Sequence, residues 1–474
     1  MAPRFTIQDV RVEYREVIFH LPFQFGSTQL THAREAFVTV ELEAASGCFR
    51  GLGAQMLIPR WFDKRLHLTN DDTVDELVMV LETAQRRALG LSGTVRQVSS
   101  ELRMLVRDAV PADCPDLAAG FGPAVLEMAI IDAACRSEDL PFVDAARGDL
   151  FGLADDAPSD IDADTIRSTL AGLSASESIQ IRHTVGYDAP LVREEVYQTL
   201  ADGRPVALDD VISSTGIRAF KIKLKGDVDA DLSRLVRIAA LLAGKGDYTA
   251  TLDANEQYEE DAFSELVAHF KRHPDLEDLR KAVAFFEQPF ARDVALADRD
   301  RPFDLGVPIV IDESDATDDA LPRAWSLGWA GTSVKSCKGV LRSLLNKVRT
   351  DKRVAEGHTA LLSAEDLTCQ PGLGWQQDTM MATCIGARHV ERNGHHFAGG
   401  MQGAREAEKA ALLKCHPGLY RPGKLGPQLA IENGQVDLSS LFGVGFASAP
   451  LHAHSNITDS PARTTSAPIA LQEY

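Results

Sequence analysis

The 474-residue sequence predicts an α/β protein built on a parallel β/α barrel, with an α+β unit ahead of it. Five strand-like runs between Gly216 and Gly339 predict the barrel: GIRAFKIKLKG, YTATLDANE, AVAFFEQPF, VPIVIDES and GTSVKSCKG. Each ends in charged or polar residues that an ordinary core would reject. From Lys223 to Asp253, Glu287, Asp312 and Lys335 the steps are 30, 34, 25 and 23 residues, each enough for a strand, a helix and two short loops. The α+β unit is predicted by strand patterns at 4–19 and 34–56, followed by helical periodicity at 72–90 and 95–109.

Residues 4–19 alternate as a strand, and 34–56 read as a hairpin turning near Ala45-Ser46-Gly47. A helix at 123–137 precedes the first barrel strand, placed at 178–185 (SIQIRHTV), where His183 is a candidate cavity residue. The acidic, small-residue insert 152–176 reads as an exposed excursion without the ligand pattern of a calcium loop. Helical spacing at 230–243, 261–271 and 340–348 separates the five strand-like runs. TALLSAEDLTCQPGLG and GARHVERNGHHF are the expected seventh and eighth strands. They offer Glu365, Asp366 and Glu391 as candidate polar contacts to a substrate, with a salt-bridged rim or a helix cap as the plain alternative.

Side chains alternate along a strand, so Lys221, Lys223 and Lys225 share one face, as do Thr251, Asp253 and Asn255. Asp253, Glu287 and Asp312 would repel one another unless a positive charge sat between them. A hard divalent cation satisfies that need, and oxygen-only ligands suit Mg²⁺ or Mn²⁺ rather than zinc. Lys335 continues the Ser333 face, whereas Lys338 has the opposite parity and is expected in the following loop.

Lys-x-Lys, Asp-x-Asn, Glu-Gln-Pro, Asp-Glu-Ser and Lys-x-x-Lys-Gly, together with PAVLEMAIIDAACRSEDLP at 123–141, resemble the enolase superfamily, in particular its muconate-lactonizing subgroup. The resemblance implies a modified TIM (β/α)7β barrel with an N-terminal capping domain. The expected organisation is cap 1–122, barrel 123–414, a return segment over the cap at 415–449 and a flexible tail at 450–474. It implies Asp253, Glu287 and Asp312 as Mg²⁺ ligands, Lys223 and Lys335 as acid/base residues, and Lys221 as the electrostatic partner of Lys223. Cap loops at 20–34 and 56–64 would cover the barrel mouth. Phe23, Phe25, Arg60 and Trp61 would shape the pocket there, with packing inside the cap as the plain alternative for each, and Asn255 is among the expected substrate contacts. Gly226 follows Lys225 directly, which shifts the glycine by one place from the family pattern.

The chemistry so implied is removal of a proton α to the carboxylate of a small substrate, with metal stabilisation of the enediolate. A lysine base would need its pKa drawn towards neutrality, a task assigned to burial, to Lys221 and Lys225 and to the metal. Racemisation or epimerisation, cycloisomerisation and elimination all remain open. A divergent acid-sugar dehydratase and a non-catalytic metal-binding scaffold are the alternatives. The eighth strand carries Glu391-Arg392-Asn393 in place of the Asp-x-Asp of dipeptide epimerases, and His358 precedes the seventh strand rather than ending it.

A net charge of −20 disfavours nucleic acid and anionic membranes as partners. Seven scattered cysteines without zinc spacing read as reduced thiols of a cytoplasmic protein, and no leader or apolar span is evident. The expected assembly is a homo-oligomer.

Overall fold

The computed structural model describes residues 2–26 and 28–449. The expected tail, 450–474, lies outside the described residues.

Phe5–Phe25, Thr28–Ala44 and Gly47–Leu57 form an antiparallel sheet, each strand paired with the next in sequence. The segment 20–34, expected as a loop, instead extends the first hairpin. A register shift between Ile18 and Phe23 accommodates Pro22, which can donate no ladder hydrogen bond. Past the shift Phe23, Phe25 and Leu30 are buried, so burial continues where simple alternation fails. Helices Asn70–Ala88 and Val95–Arg107 follow, each opened by a capping box, Thr69 with Asp72 and Thr94 with Gln97.

Helix Phe121–Ser137 is buried from Phe121 through Cys135, as its all-round apolar sequence requires. Gly51 and Gly53 let the third strand lie directly on it: a Cβ at Gly51 would stand 2.1 Å from the Ala129 carbonyl oxygen. Asp116–Ser137 is long and apolar enough to cross a membrane, yet its most apolar window is 94% buried inside the protein.

Eight parallel strands follow: Ser178–Val185, Ala219–Lys223, Thr249–Asp253, Val283–Glu287, Ile309–Ile311, Gly331–Val334, Leu361–Ala364 and His389–Glu391. The first seven pair in sequence order and the eighth pairs with the first. Helices lie between successive strands, giving a TIM-barrel-like arrangement behind the N-terminal α+β unit. Among the described residues no ladder joins the seventh strand to the eighth, so the sheet is not closed by backbone pairing. Arg182 of the first strand reaches across, donating to Ser363 Oγ at 2.9 Å and the Ala364 carbonyl at 3.1 Å.

Two expectations are corrected outside the sheet. The insert 152–176 is no free excursion: helix Ala163–Ala171 buries Ile166 and Leu170, and Asp160 holds Arg349 through two hydrogen bonds of 2.7 and 2.9 Å. The segment 415–449, expected over the cap, meets instead the first parallel strand and the helix against which the cap sheet packs. Gln435–Asp437 pairs antiparallel with the start of the first parallel strand, and Phe446 and Ser448 bond Asp132 of helix Phe121–Ser137.

The seam between the antiparallel sheet and the rest of the chain combines apolar packing, such as Phe37, Leu52 and Ala54 with Leu373, with buried polar contacts. Arg15 pairs with Glu408 at 2.7 Å, Gln402 bonds both backbone groups of Ile18, and Gln370 donates to Glu35 at 2.7 Å. Burial pushes the Glu35 carboxyl up to about 7, overriding Arg15 and the Gln370 hydrogen bond, which act in the opposite sense. Between an unfolded value near 4.5 and about 7 the native chain therefore binds more protons than the unfolded one, and stability falls as pH rises. In urea unfolding from pH 4.5 to 8, the stability of the natural chain relative to Glu35→Gln should drop by roughly 3 kcal/mol across that window. A difference that does not change with pH would refute the assignment.

Candidate active site

The C-terminal ends of the parallel strands converge on one buried set of charges. Lys221 and Lys223 come from the second strand, Asp253 from the third, Glu287 from the fourth, and Asp312 directly follows the fifth. Lys335 follows the sixth strand, Glu365 follows the seventh, and Glu391 ends the eighth. Their side chains are buried, so each charge is stable only where the others compensate it.

Lys221 is the hub. Its Nζ donates to Glu365 at 2.6 Å and Glu287 at 3.1 Å, and lies 3.0 Å from Asp253 and 3.4 Å from Glu391. Lys223 donates to Asp253 at 2.6 Å and Asn255 Oδ1 at 2.8 Å. On the opposite rim Lys335 donates to Asp312 at 2.6 Å and lies 2.8 Å from Glu365. Arg182 donates to Glu365 at 2.6 Å, and Thr184 donates to Glu391. Five carboxylates (Asp253, Glu287, Asp312, Glu365, Glu391) thus face five cations (Lys221, Lys223, Lys335, Lys338, Arg182).

Lys338 corrects the parity expectation. The chain leaves the sixth strand into the single turn Ser336–Lys338, which swings Lys338 Nζ back to within 2.7 Å of the Asp312 carboxylate and 2.6 Å of the Ser333 carbonyl. Lys225 corrects another. It lies beyond the second strand with its side chain exposed, so it is not a buried charge beside Lys223.

The local fields follow from this packing. Burial and the neighbouring Glu365 hold the Glu287 carboxyl well above the usual range, against the pull of Lys221. Glu365 moves the other way: burial opposes ionisation, but Lys221, Lys335 and Arg182 prevail. Burial disfavours the ammonium form of Lys221 and Lys335, yet the acids around them raise both well above the normal lysine value. For Lys335 the lowered pKa expected from sequence is therefore replaced by a raised one in this arrangement, because carboxylates rather than cations are its nearest neighbours.

Glu287, Asp312 and Glu365 present carboxylate oxygens within 4.8 Å of one another. Glu287 Oε2 accepts no aligned hydrogen bond, although Lys221 Nζ lies 3.0 Å from it. An all-oxygen cluster of this kind fits a hard divalent cation. Asp253, the remaining acid of the sequence expectation, instead receives Lys221 and Lys223.

Phe25, Trp61, Asn255, Glu365, Asp366 and Glu391 line the same cavity as Lys221, Lys223, Asp312 and Lys335. The Trp61 ring centroid stands 5.0 Å from Lys335 Nζ, a cation–π contact that roofs the site. Arg60 does not reach it. Its guanidinium bonds the carbonyls of Arg65 and Leu68 and braces its own loop.

Sequence reading missed Arg182, Glu313 and the residues that hold the roof. Arg182 shares strand parity with Thr184, a signal that could have placed it inward. Glu313 is buried, and burial pushes it up to about 7 despite Lys64. Glu256 accepts from Arg292 and pairs with Lys64 at 2.5 Å, while Arg292 donates to the carbonyls of Trp61 and Phe62 at 3.0 and 2.8 Å. Nothing in the sequence pairs residues so far apart.

No family model matches the chain, and no curated protein matches it. Its fold is shared by solved structures, among them a member of the enolase superfamily from Roseovarius nubinhibens ISM, with a TM-score of 0.54 at 16% identity, covering 93% of this chain and 95% of the other. A mandelate racemase/muconate lactonizing protein from Herpetosiphon aurantiacus superposes with a TM-score of 0.57 at 20% identity, covering 93% of this chain and 98% of the other. The 2-chloromuconate cycloisomerase of Rhodococcus opacus 1CP gives 0.58 at 17% identity, with coverages of 94% and 96%. The dipeptide epimerase of Methylococcus capsulatus gives 0.55 at 20%, with coverages of 93% and 99%.

The Glu256 clasp sets the position of the Trp61 loop. Glu256→Gln leaves Arg292 and Lys64 without their charged acceptor, and hydrogen bonds to charged groups are worth about 1.5–3 kcal/mol. Amide exchange across residues 58–66 should accelerate by about tenfold or more while the parallel strands keep their protection. Unchanged exchange in the loop would show that the clasp does not hold the roof.

Proposed function

We propose that this chain is a Mg²⁺-dependent isomerase or lyase of the enolase superfamily, close to its muconate-lactonizing branch and built on that branch's (β/α)7β barrel. The substrate is a small carboxylate, and the reaction begins with removal of the proton α to it. One observation carries the reading: Lys223 and Lys335 come from the second and sixth strands, on opposite sides of the acids, and both ammonium groups line one cavity.

Glu287 and Asp312 would hold the metal, joined by Asp253 on the strength of its sequence position and by Glu365 on the strength of the geometry. When bound, the ion supplies Lewis-acid stabilisation of the enediolate. A divalent ion would add two positive charges beside Lys223 and Lys335, and a substrate carboxylate together with the loss of a lysine proton would offset them, which is the state a general base requires. Lys221, bonded to Glu365 and Glu287, keeps the acids oriented beside Lys223. Trp61 and Phe25 exclude water above the reacting carbon.

The alternatives fare less well. A scaffold could tolerate Lys223 and Lys335 splayed away from the metal, whereas both line the cavity beside the candidate ligands. The acid-sugar dehydratase pattern needs a histidine at the end of the seventh strand; that position is Glu365, and His358 is exposed.

The test is α-hydrogen exchange in D₂O with Mg²⁺ over a library of small carboxylates. Lys335→Ala and Lys223→Ala should each slow exchange by about 10²–10⁴-fold, with opposite stereochemical preference if the reaction is an epimerisation. Loss in only one variant points to a one-base elimination or cycloisomerisation. No exchange with any substrate, or full exchange in both variants, overturns the proposal. In calorimetric titration with Mg²⁺ alone, Glu287→Gln and Asp312→Asn should bind at least about tenfold more weakly. Unchanged affinity in both would dismiss them as ligands.

A further inference from the structure

Five arginines are buried among the described residues: Arg15, Arg182, Arg342, Arg349 and Arg392. Four have a carboxylate within 4.0 Å, namely Glu408, Glu365, Asp318 and Asp160. Arg392 has none there. Its Nε has no hydrogen-bond partner, and its Nη2 stands 3.5 Å from His183 Nδ1, at the outer limit of a hydrogen bond. Burial and the nearby charge of Arg204 push the Arg392 guanidinium down to about 10, with Asp366 opposing from beyond ion-pair range. An uncompensated buried charge costs several kcal/mol, so a chain that keeps one calls for an anion from outside.

Arg392 borders a cavity that no carboxylate lines. Its walls include Arg204, His395, His396 and Arg421. Arg204 is fixed by Asp202 and by the carbonyls of His395, His396 and Ala398, and Arg421 stands exposed at the rim. The cavity measures about 70 Å³. At about 10–15 Å³ per water-sized position it holds on the order of five, room for one phosphate or carboxylate group. It is separate from the acid–lysine site: Glu391, the last residue of the eighth strand, lines that site, and Arg392, the next residue, lines this one.

We infer that Arg392, with Arg421 at the mouth, forms an oxyanion-binding site between the end of the eighth strand and the hairpin Tyr420–Leu429, separate from the acid–lysine site. A planar guanidinium with its Nε free suits a phosphate or carboxylate oxygen pair better than chloride. On a chain of net charge −20, three arginines around a cavity that no described carboxylate lines, only Arg204 of them paired with an acid, Asp202, make a local reversal of field, and it draws small anions to one place. The inference does not depend on the proposed catalysis.

The test is calorimetric titration of the full chain with inorganic phosphate and, separately, with succinate, at constant ionic strength set with chloride. At least one of the two should bind in the natural chain, and Arg392→Gln should weaken that binding at least about tenfold. The stronger ligand identifies the group. If Arg392→Gln does not fold, Arg421→Gln provides the reading, because an exposed rim residue can be changed without loss of the fold; it should weaken binding severalfold. Binding by neither anion, or equal binding in the natural chain and both variants, overturns the inference.

Discussion

The structure depends on one constraint: charges that are buried must balance one another. Lys221 satisfies it at the centre of the site, with four carboxylates around a single ammonium. Removing any one acid or lysine would leave a partner charged in a dry interior, so the eight strand ends are bound to a common geometry as firmly by electrostatics as by packing. The same constraint explains why Lys221 and Lys335 are held as ammonium ions here. A site that neutralises itself is poised rather than active, and whatever enters must change the balance.

Much of this was legible in the sequence because strands impose parity. The five motif runs, the first strand at 178–185 and the buried helix near 123–137 all stand where periodicity places them. Parity fails where the chain stops being a strand. Lys338 reaches Asp312 only because a single tight turn reverses direction after Lys335, and no alternation rule extends through such a turn. Lys225 fails in the opposite sense, since the second strand ends at Lys223. The long hairpin through 20–34 was hidden by Pro22 and the register shift beside it.

Other features were illegible for a different reason: they are contacts between distant segments. Glu256 with Arg292 and Lys64, or Arg15 with Glu408, join residues tens to hundreds of positions apart. The sequence shows the charges but not their pairing. Such contacts govern how the antiparallel sheet sits on the parallel one, and they also decide which acids are raised and which are lowered.

The gap between the seventh and eighth strands carries a mechanical consequence. Everywhere else neighbouring strands are locked by backbone ladders, whose spacing is nearly invariant. Here the join is made by the side chain of Arg182, a long, rotatable tether running from the first strand to Ser363, the Ala364 carbonyl and Glu365. A ladder fixes a distance, whereas a tether only limits it. The ring of strands is thus stiff around most of its circumference and compliant at one seam, with Glu365 on one side of the seam and Glu391 on the other. Any widening of the ring is borne there, and it changes the separation of those two carboxylates before it disturbs Asp253, Glu287 or Asp312.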